Sequence, residues 1–194
     1  VAHGGHAMTR ARASGLERAA EEPAMPSILR DPRLSERAQP QPESRPFDRP
    51  FRIETFFLGR SRASGVFHDR FGTLRTRFVA EIEGAFEGDE FVLAERFLYD
   101  DGRRESRTWR IRPHDGGTYH GRADDIVGLA TGQATASSID WRYVLSLKIG
   151  ARRWNMNFED SFLLVGDMVI NRARMSKFGI RLGEATIVFR REDD

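Results

Sequence analysis

The sequence predicts an all-β fold, an antiparallel up-and-down barrel of eight to ten strands over residues 50–194. Three observations carry this reading. From Arg62 onward polarity alternates with period two, turn-forming residues interrupt it about every ten residues, and no stretch holds helical periodicity for three turns. A meander of that many strands removes its exposed edges most simply by closing on itself. Roughly 140 residues suffice for a barrel that encloses one small ligand.

Residues 66–68 open the series. Leu74, Thr76, Phe78, Ala80 and Ile82 then alternate with Arg75, Arg77, Val79, Glu81 and Glu83 until Glu87-Gly88-Asp89 turns the chain. Phe91, Leu93, Phe97 and Tyr99 continue the apolar face up to Asp100-Asp101-Gly102, where Asp-Gly suits the positive φ angles of a type I′ turn. Trp109 and Ile111 next oppose Arg104, Thr108, Arg110 and Arg112, and residues 113–117 close that strand. Residues 119–125, 126–135 and 139–149 follow, the last setting Trp141, Tyr143, Leu145 and Leu147 against Arg142, Val144, Ser146 and Lys148. Residues 153–165 place Trp154, Met156, Phe158, Asp160 and Phe162 on one face. Gly166-Asp167 turns into residues 168–176, and Lys177-Phe178-Gly179 opens a longer connection before a final strand at 184–191.

Residues 1–49 read differently. Six of the eight prolines lie there, with Phe47 as the single aromatic, which leaves too little apolar surface to offset the entropy of ordering. A disordered or weakly helical tail is expected, with a short alanine-rich helix at residues 7–22. No apolar h-region of a secretory signal is present, so the expected location is cytoplasmic as the sequence stands, or periplasmic or envelope if the N-terminus is processed or misassigned.

Charge and composition exclude several function classes. The isoelectric point of 9.4 accompanies a net charge of only +2, because all but Lys148 and Lys177 of the 31 basic residues are arginine and titrate far from neutrality. Without blocks of unopposed positive charge, nucleic acid is not an expected partner. The absence of cysteine removes disulfides, thiol nucleophiles and thiolate-bound metals. Gly121, Gly128 and Gly132 match no nucleotide-binding spacing, and no cofactor is implied.

The stretches Val66-Phe67-His68-Asp69-Arg70-Phe71-Gly72, Tyr99-Asp100-Asp101-Gly102, Gly121-Arg122-Ala123-Asp124-Asp125-Ile126-Val127-Gly128, and the long run from Asn171 through Phe178 and Gly179 to Glu184 resemble the DUF3833 family of proteobacterial proteins over residues 51–192. The resemblance implies a lipocalin-like (calycin-type) barrel without prescribing an activity. It also implies a setting, since many members are encoded near enzymes that modify unsaturated membrane fatty acids and often begin with a lipoprotein signal. This sequence departs from that pattern in having no cysteine and no such signal, and Ser64 stands where such barrels commonly carry a tryptophan.

Alternate side chains line a small barrel, so Trp141, Tyr143, Trp154, Met156, Phe158 and Asp160 are the expected ligand contacts. Arg172 is an expected anchor for a carboxylate or phosphate if its face points inward, or else a structural arginine stacked on an aromatic and paired with Asp160 or Asp125. Phe178 is an expected lid, and Lys177 beside it is a base if desolvated and a solvated loop residue otherwise. His3 and His6 in the tail lack the three or four fixed ligands of a metal site, whereas His114 and His120 flank a turn where they could meet across a hairpin with Asp115 or else stay solvated, and no metal is assigned. No catalytic residue is assigned. The function expected is binding or shuttling of a hydrophobic, fatty-acyl-like small molecule, with an enzyme or accessory subunit acting on lipid and a filled-barrel interaction module as alternatives. No protein partner is identified, and arginines at strand ends point to peripheral contact with acidic lipid headgroups.

Overall fold

The computed structural model describes residues 49–192, so the expected tail lies outside them but for its last residue. Ten strands follow in order: β1 (Gly59–Asp69), β2 (Leu74–Glu87), β3 (Glu90–Tyr99), β4 (Arg104–Pro113), β5 (Thr118–Arg122), β6 (Ala130–Ala134), β7 (Ser138–Ile149), β8 (Arg152–Val165), β9 (Met168–Lys177) and β10 (Ile180–Arg191). Each pairs antiparallel with the next, and β1 pairs with β10 from Ser61↔Arg191 to Asp69↔Gly183, which closes the barrel. The up-and-down barrel expected from the alternation is the fold. Among the described residues no helix is long and apolar enough to cross a membrane.

Up-and-down order sends the β1–β2, β3–β4, β5–β6, β7–β8 and β9–β10 connections to one end, here the mouth. The base receives the other four connections and the short helix α1 (Ile53–Phe56) that precedes β1. A four-residue helix has no stability of its own, so packing must hold it. Phe51, Ile53, Phe56 and Phe57 are buried, and edge-to-face contacts run Phe51–Phe56 (6.0 Å), Phe56–Phe57 (4.8 Å) and Phe57–Phe189 (5.2 Å). Each buried phenylalanine contributes roughly 1.5–3 kcal/mol. Gly84 on β2 admits the plug, because the Phe57 carbonyl occupies the space that a Cβ there would need. Tyr119 Oη donates to Glu54 Oε2 at 3.0 Å and ties the plug to β5.

Four local expectations are corrected. β1 begins at Gly59, well before residue 66, because its inward positions Ser61, Ala63 and Gly65 are too small to mark a hydrophobic period. Only Ala130–Ala134 of residues 126–135 form a strand, because residues 126–129 belong to a loop that touches β7 through a single bridge, Ile126↔Leu145. The β9–β10 connection is a tight two-residue turn rather than a long one: Phe178 and Gly179 both take positive φ (51° and 76°), and β10 starts at Ile180. At Asp100-Asp101-Gly102 only Gly102 has positive φ (83°), so the loop is the longer glycine form and not type I′. There the Tyr99 N–H donates to the Arg103 carbonyl at 2.9 Å.

Trp141 shows how tightly the short strands must pack. On β5 and β6 its neighbours Gly121 and Gly132 leave the ring a flat bed, and Trp109 meets it edge-on at 5.9 Å. A Cβ on Gly132 would overlap the indole. Gly132→Ala is therefore expected to lower stability by about 1–3 kcal/mol through overpacking. Combining it with Trp141→Leu should be strongly non-additive in a denaturation-based double-mutant cycle, since the clash exists only with the indole present.

Candidate functional site

Between the plug and the mouth the barrel encloses a cavity of about 220 Å³. That is many times the roughly 10–15 Å³ that admits one water. Its wall is mostly apolar, with Ile82, Leu93, Trp109, Trp141, Tyr143 and Phe158 prominent. Tyr143 stacks parallel on Phe158 at 5.2 Å and receives Trp109 edge-on at 5.4 Å, giving a flat aromatic side to the chamber.

Polar groups enter this wall by strand parity. Glu95 shares the inward face of β3 with Leu93 and Phe97, Arg107 shares that of β4 with Trp109, and Asp160 and Asn171 face inward from β8 and β9. Arg107 is largely buried and donates to Asp125 from Nε (3.1 Å to Oδ1) and from Nη2 (2.8 Å to Oδ2). Its Nη1 lies 3.9 Å from Glu95 Oε2. Asp160, only 7% exposed, accepts at Oδ2 from Tyr143 Oη (3.3 Å) and Asn171 Nδ2 (3.2 Å). Asp160 Oδ1 and Asn171 Oδ1 are buried acceptors with no hydrogen-bond partner among the described residues. A buried acceptor without a donor forfeits about 1–3 kcal/mol, so these two atoms are an unfilled demand inside the cavity.

Burial dominates the electrostatics. It pushes the Asp160 carboxyl up to about 7 against the opposing hydrogen bonds from Asn171 and Tyr143. It likewise pushes Glu95 up to about 7, although the Arg107 guanidinium pulls the other way. The Tyr143 hydroxyl is raised well above its ordinary value by burial and by the Asp160 charge.

Of the eight residues singled out from the sequence, Trp141, Tyr143, Phe158 and Asp160 line the cavity together. Met156 is buried on the same inward face, paired with Leu145, but lies off the cavity wall. Trp154 has the right parity yet sits beyond the rim, 38% exposed, with Lys177 Nζ 4.8 Å from its ring. Phe178 stands out at the turn tip instead of covering the cavity, and Lys177 donates to the Asn155 carbonyl at 2.9 Å rather than facing inward. Arg172 is corrected most sharply. Asn171 and Ala173 take the inward positions of β9, which turns Arg172 outward to Glu184 at 2.8 Å.

The arginine that meets Asp125 is Arg107, whose guanidinium also lies 5.9 Å from the Phe97 ring centroid. Sequence reasoning missed Arg107, Glu95 and Asn171. The signal was the parity itself, since Arg107 lies two residues before Trp109 and Glu95 falls between Leu93 and Phe97. His114 and His120 approach to 4.4 Å between ring centroids, but among the described residues no third ligand joins them.

The chain matches the family described as "Protein of unknown function (DUF3833)" over residues 36–191, and it belongs to that family. No curated protein matches the sequence. Among solved structures it is similar to the S-type phycobiliprotein lyase CPES from Guillardia theta, with 11% identity, a TM-score of 0.57, and coverage of 80% of this chain and 99% of that one. It is also similar to Rv2717c from M. tuberculosis, with 14% identity, a TM-score of 0.53, and coverage of 72% and 94%. At these identities the likeness shows a shared lipocalin-like fold.

The two raised carboxyls give the barrel a measurable pH dependence. Both hold their protons more tightly folded than unfolded, so from their ordinary values of 3.8 and 4.5 up to about 7 the folded state retains protons that the unfolded chain releases. Stability from these groups therefore falls as pH rises through that window. The melting temperature is expected to decline between about pH 4 and 7, and Asp160→Asn to flatten the decline. A flat wild-type profile by calorimetry would contradict this electrostatic account.

Proposed function

We propose that the barrel binds a hydrophobic small molecule, acyl-chain-like in its apolar part, and carries it without chemical change. The supporting observation is the pairing of a mainly apolar, aromatic-walled cavity with the buried and unpartnered acceptors Asp160 Oδ1 and Asn171 Oδ1. A chain of methylenes gains about 0.8 kcal/mol for each one buried, and a polar end that can donate relieves Asn171 Oδ1 and, when the carboxyl is ionised, Asp160 Oδ1, while a hydroxyl can also accept from the protonated acid. The polar end therefore differs from the one expected at Arg172. Arg107 is already committed to Asp125, so a hydroxyl or amide N–H suits the chamber better than an anionic head. The link to membrane fatty-acid modification comes from the family resemblance and supplies the acyl character of the ligand.

A second reading, chemistry on a bound lipid-like molecule, is favoured by one observation. Asp160 and Glu95 are held near neutrality inside the cavity, the range suited to a general acid or base. A filled-barrel interaction module is disfavoured by the size of the cavity.

The test is native mass spectrometry of gently purified protein, then titration with matched alkanols, fatty amides, fatty acids and phospholipids. Quenching of Trp109 and Trp141, both on the cavity wall, reports occupancy. Ala173→Phe, beside Asp160, is expected to weaken binding at least about tenfold by filling the chamber. Asp160→Leu should weaken alkanols and amides more than their hydrocarbon analogues. No binding from the whole panel would overturn the carrier reading, and a changed mass in a panel molecule would replace it with the enzymatic one.

A further inference from the structure

The two ends of the barrel carry different connections. At the base the links between strands are Gly88-Asp89, His114-Asp115-Gly116-Gly117, Thr135-Ala136-Ser137 and Gly166-Asp167, all small, polar or acidic. At the mouth Phe71, Val127, Leu129, Ile149, Phe178 and Ile180 are exposed in or beside four separate connections, Phe71 by 76% and Phe178 by 86%. None of the six lines the cavity, so the ligand site does not account for them. Single exposed apolar residues are ordinary on any surface, and the base shows Leu58 (49%) and Phe86 (51%), but the two most exposed, Phe71 and Phe178, both stand at the mouth within a cluster of six, which marks that end as an interaction face.

Among the described residues, cations without an ion-pair partner gather at that end, where Asp124 is the one acid of its connections also left without one, and the base has unpaired Arg52 and Arg60. Arg70, Lys148, Arg152, Arg153, Lys177 and Arg181 make no ion pair among the described residues. The acids beside them are mostly engaged, Asp69 by Arg75, Asp100 by Arg77, Asp101 by Arg103 and Asp125 by Arg107. Aromatic tips and free cations also occur as neighbours. Arg70 lies over Phe71 at 4.6 Å, and Lys177 Nζ lies 4.8 Å from both Phe178 and Trp154.

We propose that the mouth docks on an anionic lipid bilayer, with the tips of Phe71 and Phe178 at the headgroup–acyl boundary and the free cations against lipid phosphates. Apolar tips alone would fit any hydrophobic partner. The interleaved cations select an anionic surface, and the spread over four hairpins fits a plane rather than a groove. Docking is independent of whether the cavity takes a ligand, and it would set the mouth of that cavity facing the bilayer.

Flotation of the full chain with phosphatidylcholine vesicles, and with the same vesicles containing phosphatidylglycerol, tests the proposal. Wild-type protein is expected to float with the anionic vesicles and at least about tenfold less with the neutral ones, and to detach as ionic strength rises from about 0.1 to about 1 M. Phe71→Ser with Phe178→Ser, and separately Lys148→Glu with Arg152→Glu, should each reduce flotation at least about tenfold. All four side chains are at the exposed tips, so circular dichroism and binding of the soluble ligand panel should remain as in wild type. Equal flotation on both vesicle types, or variants that float like wild type, would overturn it. So would a wild-type dimer in light scattering that the tip variants abolish without any vesicle association, since the face would then join two copies of this chain.

Discussion

Everything else in this molecule depends on the pairing of β1 with β10. Ten antiparallel strands left open would expose two edges and one long concave face. Joining Ser61↔Arg191 through Asp69↔Gly183 removes the edges and fixes, for every strand, which alternate side chains enter the interior. Closure has a chemical cost as well. Glu95, Arg107, Asp160 and Asn171 have inward parity and are carried into the barrel whether or not the environment suits a charge.

The interior distributes that cost unevenly. Around Arg107 the desolvation of a cation is offset by Asp125 and by the nearby Glu95, so the arginine keeps its charge and is spent on structure. Around Asp160 no cation comes within hydrogen-bonding range, and the carboxyl meets only the neutral donors Tyr143 and Asn171. Two neutral hydrogen bonds do not balance the burial of an anion, which is why proton uptake takes over and why one oxygen is left without a donor. A wall of the same size built from leucine would be more stable. An unsatisfied carboxyl in a hollow therefore makes better sense as part of a site than as part of a core.

How much of this was legible in the sequence follows from side-chain size. Where inward residues are large, as along Trp141-Tyr143 and Phe158-Asp160, period two gave strand, facing and cavity wall together, whereas for Met156 it gave strand and facing only. Where they are small the same geometry left no hydrophobic trace, so β1 was underestimated at Ser61, Ala63 and Gly65, while around Ala130, Gly132 and Ala134 the apolar Ile126, Val127 and Leu129 of the preceding loop made the strand look longer than it is. Arg172 was misplaced because β9 runs Ile170, Arg172, Arg174 on one face and Asn171, Ala173 on the other, and neither set is plainly apolar. Only its neighbours decide the matter. Asp160 pairs in register with Ala173, so the face opposite Arg172 is inward. Arg107 and Glu95 were obscured by the opposite habit, that of reading any charge as outward even when its parity matches Trp109 or Phe97.

The polarity of the barrel along its axis ties these features together. At the base, Phe51, Phe56, Phe57 and Phe189 interlock and Gly84 gives way to the plug backbone, so a ligand of any length has no exit there. Passage must use the mouth, where strand pairing ends and Tyr99 and Glu105 edge the cavity. An apolar molecule leaving through that opening into water would lose the burial free energy that holds it. Leaving into a bilayer it would lose almost none, because hydrocarbon on either side of the opening is equivalent. On the two proposals above, a sealed base, a hollow with two buried acceptors and a cluster of apolar tips among cations form one arrangement, in which a bound molecule is exchanged where the opening meets lipid.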